Sequence, residues 1–407
     1  MTLEQANQRL LAFIDFTNDA PNTIAGPLSG LNIGIKGNIA VRGLANTAGS
    51  GARRNAIAAQ DANAVAQLRA AGANIVGTLN MHEGALGATT DNKVYGRCLN
   101  PWREGFCPGG SSGGSGTAIA AGMIDGALGS DTMGSIRLPA SYCGVFGFKP
   151  SGTSVSQNGV IPLSTTLDQI GPLAKDAKTL CALARVLGAS QPMTDLSGLT
   201  FGVPRDMAPV LPEIEDMFAA NLARITAAGA HIIEMKLGLG YEGALGLTDV
   251  DVILAALLVC EIEGSVEWAR ELGDADSDIT PEFRAMLTYG ANIGRVRIED
   301  AYAKLTKVKR HIRAVIANSN LAGLLTPTVS HLPFHHDVGP PMDQAYLTQY
   351  ANIADLPAVS APMGLIDGLP AGIQCIAAPE RDDIALGFTC LFQGLSLPYI
   401  VHGPAPL

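Results

Sequence analysis

The chain is poor in charge and in aromatic rings. Of its 407 residues, 16% are Asp, Glu, Lys or Arg and 5% are Phe, Trp or Tyr. With 47% apolar residues, it can fill a large core, which excludes a disordered polymer. A disulfide frame is also lacking. The seven cysteines (98, 107, 143, 181, 260, 375 and 390) are odd in number, scattered, and show no C-x-x-C. That pattern excludes a disulfide scaffold or a cysteine zinc site and predicts reduced, buried thiols in a cytoplasmic protein. The opening "MTLEQANQRLLAFIDF" carries early acids and lacks the basic-then-apolar pattern of a secretory leader. The longest apolar run, "VILAALLVC" at 252–260, is far too short for a bilayer, so no membrane partner is expected. No basic run of any length is visible against the net charge of −10. Polyanions bind basic patches, so no nucleic-acid partner is expected either.

Glycine, in contrast, is abundant at 47 residues, in keeping with many tight turns. Residues 1–18 predict one amphipathic helix, with Leu3, Leu10, Leu11 and Ile14 roughly on one side. "LNIGIKGNIAV" (31–41) alternates like a strand. "DANAVAQLRAAGANIVGTLN" (61–80) predicts a helix capped by Asp61, a stop at Gly72 and a strand. The same cadence returns at 222–237, after a strand at 199–205. Helix, A-A-G-A turn and apolar strand form the joint of a βαβ unit, which indicates a largely parallel sheet. Further helices are predicted at 175–188, 248–272, about 296–318 and 383–394, with strands in "LAGLLTPTVS" and in 356–377. No linker separates these parts, so one domain over 1–407 is expected. Its core lies at about 25–190 and 320–400, with a variable region at about 190–320.

The oddest stretch is "PGGSSGGSG" (108–116), eight of whose nine residues are Gly or Ser. Taken alone it is linker-like, yet it opens directly into "TAIAAGMIDGALGSDTMGSIRLPAS". A phosphate loop needs a lysine after the last glycine, and none is near. A dinucleotide fingerprint fails because Ile119 stands where the third glycine belongs. "GGSSG" fits a nucleophile elbow literally, but no strand precedes it, and the histidine available for that mechanism is His402 in a Pro-rich tail. The remaining reading takes two Gly/Ser turns together. In "GSDTMGSIRLP" (129–139), consecutive backbone amides of a tight turn can converge on an oxyanion beside the Ser135 hydroxyl. This is the arrangement of an acyl-transfer nucleophile, and it needs a base.

"GGSSGGSGTAIAAGMIDGALGSDTMGSIRLPASYCGVFGFKPS" (109–151) resembles the signature block of the amidase signature family. "GIKGNIAVRGLANTAGS" (34–50) resembles its lysine segment, and 82–102, 324–330 and 355–377 match further segments in order. The resemblance implies the amidase-signature α/β fold, a large mixed, mostly parallel sheet sandwiched between helices. It also implies C–N amide hydrolysis through an acyl-serine, with no metal and no organic cofactor. A triad of Ser135, Ser111 and Lys36 is implied, with Ser111 in a cis peptide and an oxyanion hole built from the amides of Thr132, Met133, Gly134 and Ser135. Lys36, neutral, would take a proton from Ser111, which relays one from Ser135. The chemistry of the residues agrees. A lysine is ammonium until about pH 10.4 unless burial lowers its pKa, and no acid occurs between Asn32 and Gln60. Two positions depart from the family: Gly37 stands where an acid is usual, and Met133 where a glycine is, which would narrow the acyl pocket.

Ser112 is expected to hold the loop or assist the relay, and Asp131 and Arg137 to brace the nucleophile turn. Tyr95 is a candidate substrate contact and otherwise a packing residue with Trp102. Arg295 and Arg297 are candidates for a substrate carboxylate. "HLPFHHD" (331–337) groups His331, His335 and His336 with Asp337, but Pro333 prevents a helical ligand pair, so a pocket-mouth loop or plain surface is expected. The function expected is an amidohydrolase acting on a small-molecule amide, with a homodimer as the assembly. The alternatives are a glutaminase subunit of an amidotransferase working with a partner, or a non-catalytic family member.

Overall fold

The computed structural model describes residues 2–152, 154–240 and 243–395. It begins with α1 (Leu3–Leu10), capped by reciprocal bonds between Thr2 and Gln5. The helix ends well before residue 18. Leu11 turns left-handed (φ 51°), and the chain continues as β1 (Phe13–Phe16), paired antiparallel with β3 (Asn74–Leu79). Tertiary bonds override the helical pattern here: the Asn7 side chain accepts from the Phe13 amide at 2.7 Å, and the Asn80 side chain donates to the Leu11 carbonyl at 2.8 Å.

β2 (Asn32–Lys36), α2 (Asn63–Ala70) and β3 form the first predicted joint, with β2 and β3 parallel. Ala62, not Asp61, is the cap residue of α2. The Asp61 carboxylate instead accepts from the Arg42 amide and pairs with Arg69. A two-stranded ribbon, β4 (Asp91–Asn92) and β5 (Gly96–Arg97), precedes α3 (Gly113–Ala120), β6 (Gly126–Asp131) and α4 (Arg137–Cys143). Next come β7 (Phe146–Lys149), β8 (Gln169–Ala174) and α5 (Ala177–Val186). The second joint is β9 (Thr200–Pro204), α6 (Pro212–Ala227) and β10 (His231–Met235), also parallel. A helical excursion follows: α7 (Asp249–Glu267), α8 (Ala269–Gly273), α9 (Pro281–Ala291) and α10 (Arg295–Asn318). The chain returns through β11 (Gly323–Pro327), α11 (Gln349–Ile353), the hairpin β12 (Ala358–Ile366) and β13 (Leu369–Ala377), and α12 (Asp382–Leu395).

Eleven strands make one mixed sheet in the order β1-β3-β2-β6-β8-β7-β12-β13-β11-β9-β10. Its parallel parts, β3-β2-β6 and β11-β9-β10, are the two predicted joints, each extended by one strand. Between them the pairing is antiparallel, carried by β6–β8 and the β12–β13 hairpin. Ile33 and Ile35 of β2 enter a core shared with α2, α5 and α12 through Val65, Leu180 and Phe388. By strand alternation, Lys36 faces the other side of the sheet, where α3 and α4 pack. A separate core gathers α7, α9 and α10 around Val259, Leu287 and Val308. Six cysteines are buried as expected, whereas Cys390 on α12 is exposed, with its Sγ 3.6 Å from that of Cys181 on α5. Among the described residues, no helix is long and apolar enough to cross a membrane.

Candidate active site

The linker-like stretch is not a linker. Every residue from Cys107 to Ile119 is buried. The glycines let α3 press against its surroundings: a Cβ on Gly114 would lie 2.4 Å from the Asn80 carbonyl oxygen and 2.5 Å from that of Ala12. This close approach brings Ser111 and Ser112 under the second Gly/Ser turn, and the Ser112 amide donates to the Ser135 carbonyl at 3.3 Å.

Lys36 ends β2, and Ser130 lies one residue from the end of its parallel neighbour β6. The carboxyl ends of parallel strands are where open α/β sheets place ligands. Lys36 is wholly buried, and its Nζ donates to Ser111 Oγ at 2.7 Å, Ser130 Oγ at 2.8 Å and the Ser130 carbonyl at 3.3 Å. No carboxylate forms an ion pair with it among the described residues. Burial pushes its pKa down to about 7, against the opposing charges of Asp168 and Asp131. The Gly110–Ser111 peptide is cis. The Ser135 hydroxyl, 8% exposed as a residue, makes no bond within the described chain, so Lys36 and Ser111 are in contact while Ser111 and Ser135 are not directly bonded. Hydrogen bonds of this kind are often long or unformed without substrate.

The turn between β6 and α4 is built around Asp131. Its carboxylate accepts from the Gly134 amide (2.7 Å), the Ile136 amide (3.1 Å) and both Nε and Nη2 of Arg137. Burial would raise its pKa, but Arg137 and the other donors outweigh that and hold it at about 2. Arg137, itself buried, also reaches Gln374, Asn352 and the Thr348 carbonyl. Asp131 and Arg137 therefore stand where bracing was expected. One oxyanion assignment needs correcting. The Gly134 amide points inward at Asp131, so the free amides of this turn are those of Thr132, Met133 and Ser135. Gly134 serves by its backbone instead: φ is 131°, and a Cβ there would lie 2.3 Å from Thr348 Oγ1. Gly134→Ala is expected to displace the turn and lower kcat at least about a hundredfold, comparable to losing one oxyanion donor. Steady-state kinetics alongside the far-UV spectrum would check this.

Ser112 donates to the Ser130 carbonyl at 3.2 Å, a loop-holding bond. Tyr95 lies away from the cavity at Ser135, its hydroxyl 3.4 Å from the Ser50 carbonyl. Arg295 pairs with Glu299, and Arg297 lies over the Tyr289 ring; neither lines that cavity. The three histidines turn to different partners: His331 to Tyr142, His336 to the Cys98 carbonyl and His335 to the Phe106 ring. His402 lies outside the described residues. Gly37 is enclosed, since a Cβ would meet Ile14 Cδ1 at 2.8 Å and the Leu79 carbonyl at 3.1 Å.

Three neighbours escaped the sequence reading. Ser130 gives Lys36 as close a contact as Ser111 does; its signal was its place beside Lys36 on the adjacent parallel strand. Asp168, in β8's approach, accepts from Thr132 Oγ1 at 2.6 Å and from the Leu163 and Ser164 amides, and burial raises its pKa to about 6. His82 lines the cavity at Ser135, and burial lowers its pKa to about 4, so its imidazole is neutral. Neither of these two carried a local signal.

Comparison with known proteins agrees on the family. An Amidase profile matches residues 12–386. A glutamyl-tRNA(Gln) amidotransferase subunit of Methanothermobacter thermautotrophicus is 34% identical over 392 residues, covering 88% of this chain and 83% of its own. The crystal structure of the same-named subunit from Thermotoga maritima superposes with a TM-score of 0.84 at 27% identity, covering 100% of this chain and 97% of that one. A chain from a structure described as a vestigial protein complex, bearing on the origins of an s-triazine catabolic enzyme, matches at TM-score 0.84 and 27% identity over 97% and 94%.

These relatives correct the expected partners. A lone or homodimeric enzyme with a small-molecule amide as its only partner, and no link to nucleic acid, does not fit relatives named as one subunit of an enzyme of glutamyl-tRNA. The net charge was a poor guide because it describes this chain alone and says nothing of what partner chains contribute. The signature block, folded so that its two serine turns meet over a buried lysine at the strand ends, is matched within a profile covering most of the sequence, and the chain belongs to the amidase signature family.

Proposed function

We propose that this chain is the amide-cleaving subunit of an amidotransferase-type assembly, working through an acyl-serine. Neutral Lys36 accepts the Ser111 proton as Ser111 accepts that of Ser135, and Ser135 Oγ attacks the amide carbonyl carbon. The amides of Thr132, Met133 and Ser135 hold the oxyanion. The proton returns through Ser111 to the leaving nitrogen, ammonia or amine departs, and water, deprotonated by the same relay, releases the carboxylate. The observation that carries this is the Lys36 environment: a fully buried amine bonded to two hydroxyls and a carbonyl, with a pKa near neutrality. Among the described residues Lys149 is also wholly buried at a strand end, but its Nζ bonds the Pro150 carbonyl, so what sets Lys36 apart is its pair of serine hydroxyls.

The subunit role is supported by the relatives named as part of glutamyl-tRNA(Gln) amidotransferase, of whose length the chain covers 83% and 81% in two cases. Region 190–320 is proposed to set specificity within a single catalytic domain, since α7 and α9 supply Ile253, Leu257 and Met286 to the cavity at Ser135. Purification of the tagged chain at native expression should bring down stoichiometric partner chains, and ammonia release should rise on their addition. A chain that runs alone and is fully active without them would exclude the subunit role. Inertness towards amides both alone and with partners would leave the non-catalytic reading.

A further inference from the structure

The acyl-serine mechanism uses Lys36, Ser111 and Ser135 and leaves the Asp168 carboxylate without a part. The antiparallel register of β6 and β8 sets Asp131 opposite Gln169, so the residues just beyond, Thr132 and Asp168, also meet. One carboxylate oxygen of Asp168 accepts from Thr132 Oγ1 at 2.6 Å. The other accepts from the Leu163 amide at 2.8 Å and the Ser164 amide at 3.2 Å. Tied through both oxygens and 8% exposed, this side chain has little freedom. Thr132 carries the first amide of the oxyanion turn, and Thr132 and Leu163 both line the cavity at Ser135. The 163–168 loop is in turn fastened to the helical region. The Glu263 carboxylate of α7 accepts from Ser164 Oγ, from the Thr166 amide and from the Tyr302 hydroxyl of α10. A path from α7 and α10 to the oxyanion turn thus runs through Asp168.

We propose that Asp168 is a positioning residue for this reaction: through Thr132 it fixes the oxyanion turn, and through Leu163 and Ser164 it fastens that turn to the wall held by α7 and α10. An oxyanion donor is effective only if it is already aimed when the charge develops, and losing one costs about a hundredfold or more. Hydrogen bonds to a carboxylate are stronger than those to a neutral acceptor, so Thr132 is held firmly. The same charge acts on the base. Ionised Asp168 favours the Lys36 ammonium and so opposes the effect of burial. The other groups facing this pair are Asp131, bound to Arg137; His82, neutral; and the Cys260 thiol of α7, which burial keeps protonated. The inference rests on Ser135 being the nucleophile and Lys36 the base.

The test uses the full chain, with any co-purifying subunits, and a reagent that needs no turnover. An O-ethyl butylfluorophosphonate presents its phosphoryl oxygen to the oxyanion hole as Ser135 Oγ displaces fluoride, so its inactivation rate reports on both the turn and the base. Asp168→Asn should lower kinact about tenfold or more with KI little changed. It should also move the rising limb of the pH profile to lower pH, because the charge that favours the ammonium is gone. Thr132→Val keeps the carboxylate, so it should lose rate comparably with a smaller displacement of the limb; it carries the test should the asparagine variant not fold. The double variant should be little slower than the slower single one, since both act through one bond. A carboxylate that only braces its loop would lower the thermal midpoint and leave kinact and the limb alone. An unchanged kinact in either single variant, or a limb unmoved in Asp168→Asn, overturns the positioning role alone. Labelling at a residue other than Ser135, or a limb that persists in Lys36→Ala, overturns the mechanism on which the inference rests, and the inference with it.

Discussion

Ser135→Ala is expected to abolish amide cleavage, by about 10⁴-fold or more in kcat, with the thermal midpoint unchanged within a degree or two. The size follows from the absence of a substitute. Removing the nucleophile of an acyl-transfer site leaves only the rate supplied by binding and the oxyanion hole. Ser111 cannot replace it, because its hydroxyl is wholly buried and bonded to Lys36. The fold should not register the change. The Ser135 hydroxyl makes no bond within the described chain, and the bond joining the two serine turns uses its carbonyl, which alanine keeps. Covalent labelling by a fluorophosphonate, read by intact mass, should disappear with activity. Labelling that persists in Ser135→Ala would place the nucleophile elsewhere.

Lys36→Arg should be equally inactive, and the wild-type pH profile should say why. As the base, Lys36 must be neutral, so kcat/KM is expected to rise with pH along a limb near pH 7, where burial has brought its pKa from the usual lysine value. Asp168 and Asp131 oppose that shift, and His82, neutral at these pH values, faces the same pocket. Asp168 itself titrates at about 6, so the limb belongs to the Lys36–Asp168 pair rather than to one group. Guanidinium keeps its proton throughout this range and is bulkier than the wholly buried ammonium group it would replace. Lys36→Ala should lose about 10³-fold or more and show no such limb. An active Lys36→Arg enzyme, or a limb unmoved in Lys36 variants, would point to a different base.

Much of this site was legible because its chemistry is compressed into local sequence. The two Gly/Ser turns, the acid-free lysine segment and the A-A-G-A joints each carry their own physical signal, and the structure joins them at the ends of β2 and β6. What could not be read depends on distant chain. Residues 1–10 have a helical pattern that continues to 18, but the carbonyls and amides after Leu11 find partners on β3 and Asn80, so the pattern is cut short. The Gly134 amide was expected to face the oxyanion, yet a carboxylate three residues earlier takes it. Asp168 is 132 residues from Lys36, and only the sheet order brings them near. Net charge was uninformative for a related reason: a sum over one chain says nothing about what other chains of an assembly contribute.

The burial of Lys36 also makes folding a proton-releasing event. An unfolded chain holds that proton up to about pH 10.4, whereas the folded chain lets it go at about 7. Between these values the unfolded state binds more protons, so native stability falls as the solution is acidified, and the full penalty is present below about pH 7. Acid destabilises here as it does in the familiar carboxylate case, but by the opposite route, since there it removes a stabilising charge. Here acid forces a charge into a place without water. The hydroxyls around Nζ soften that penalty without cancelling it, and the two large apolar cores that flank the sheet must offset the remainder for the base to stay neutral at the pH where it works.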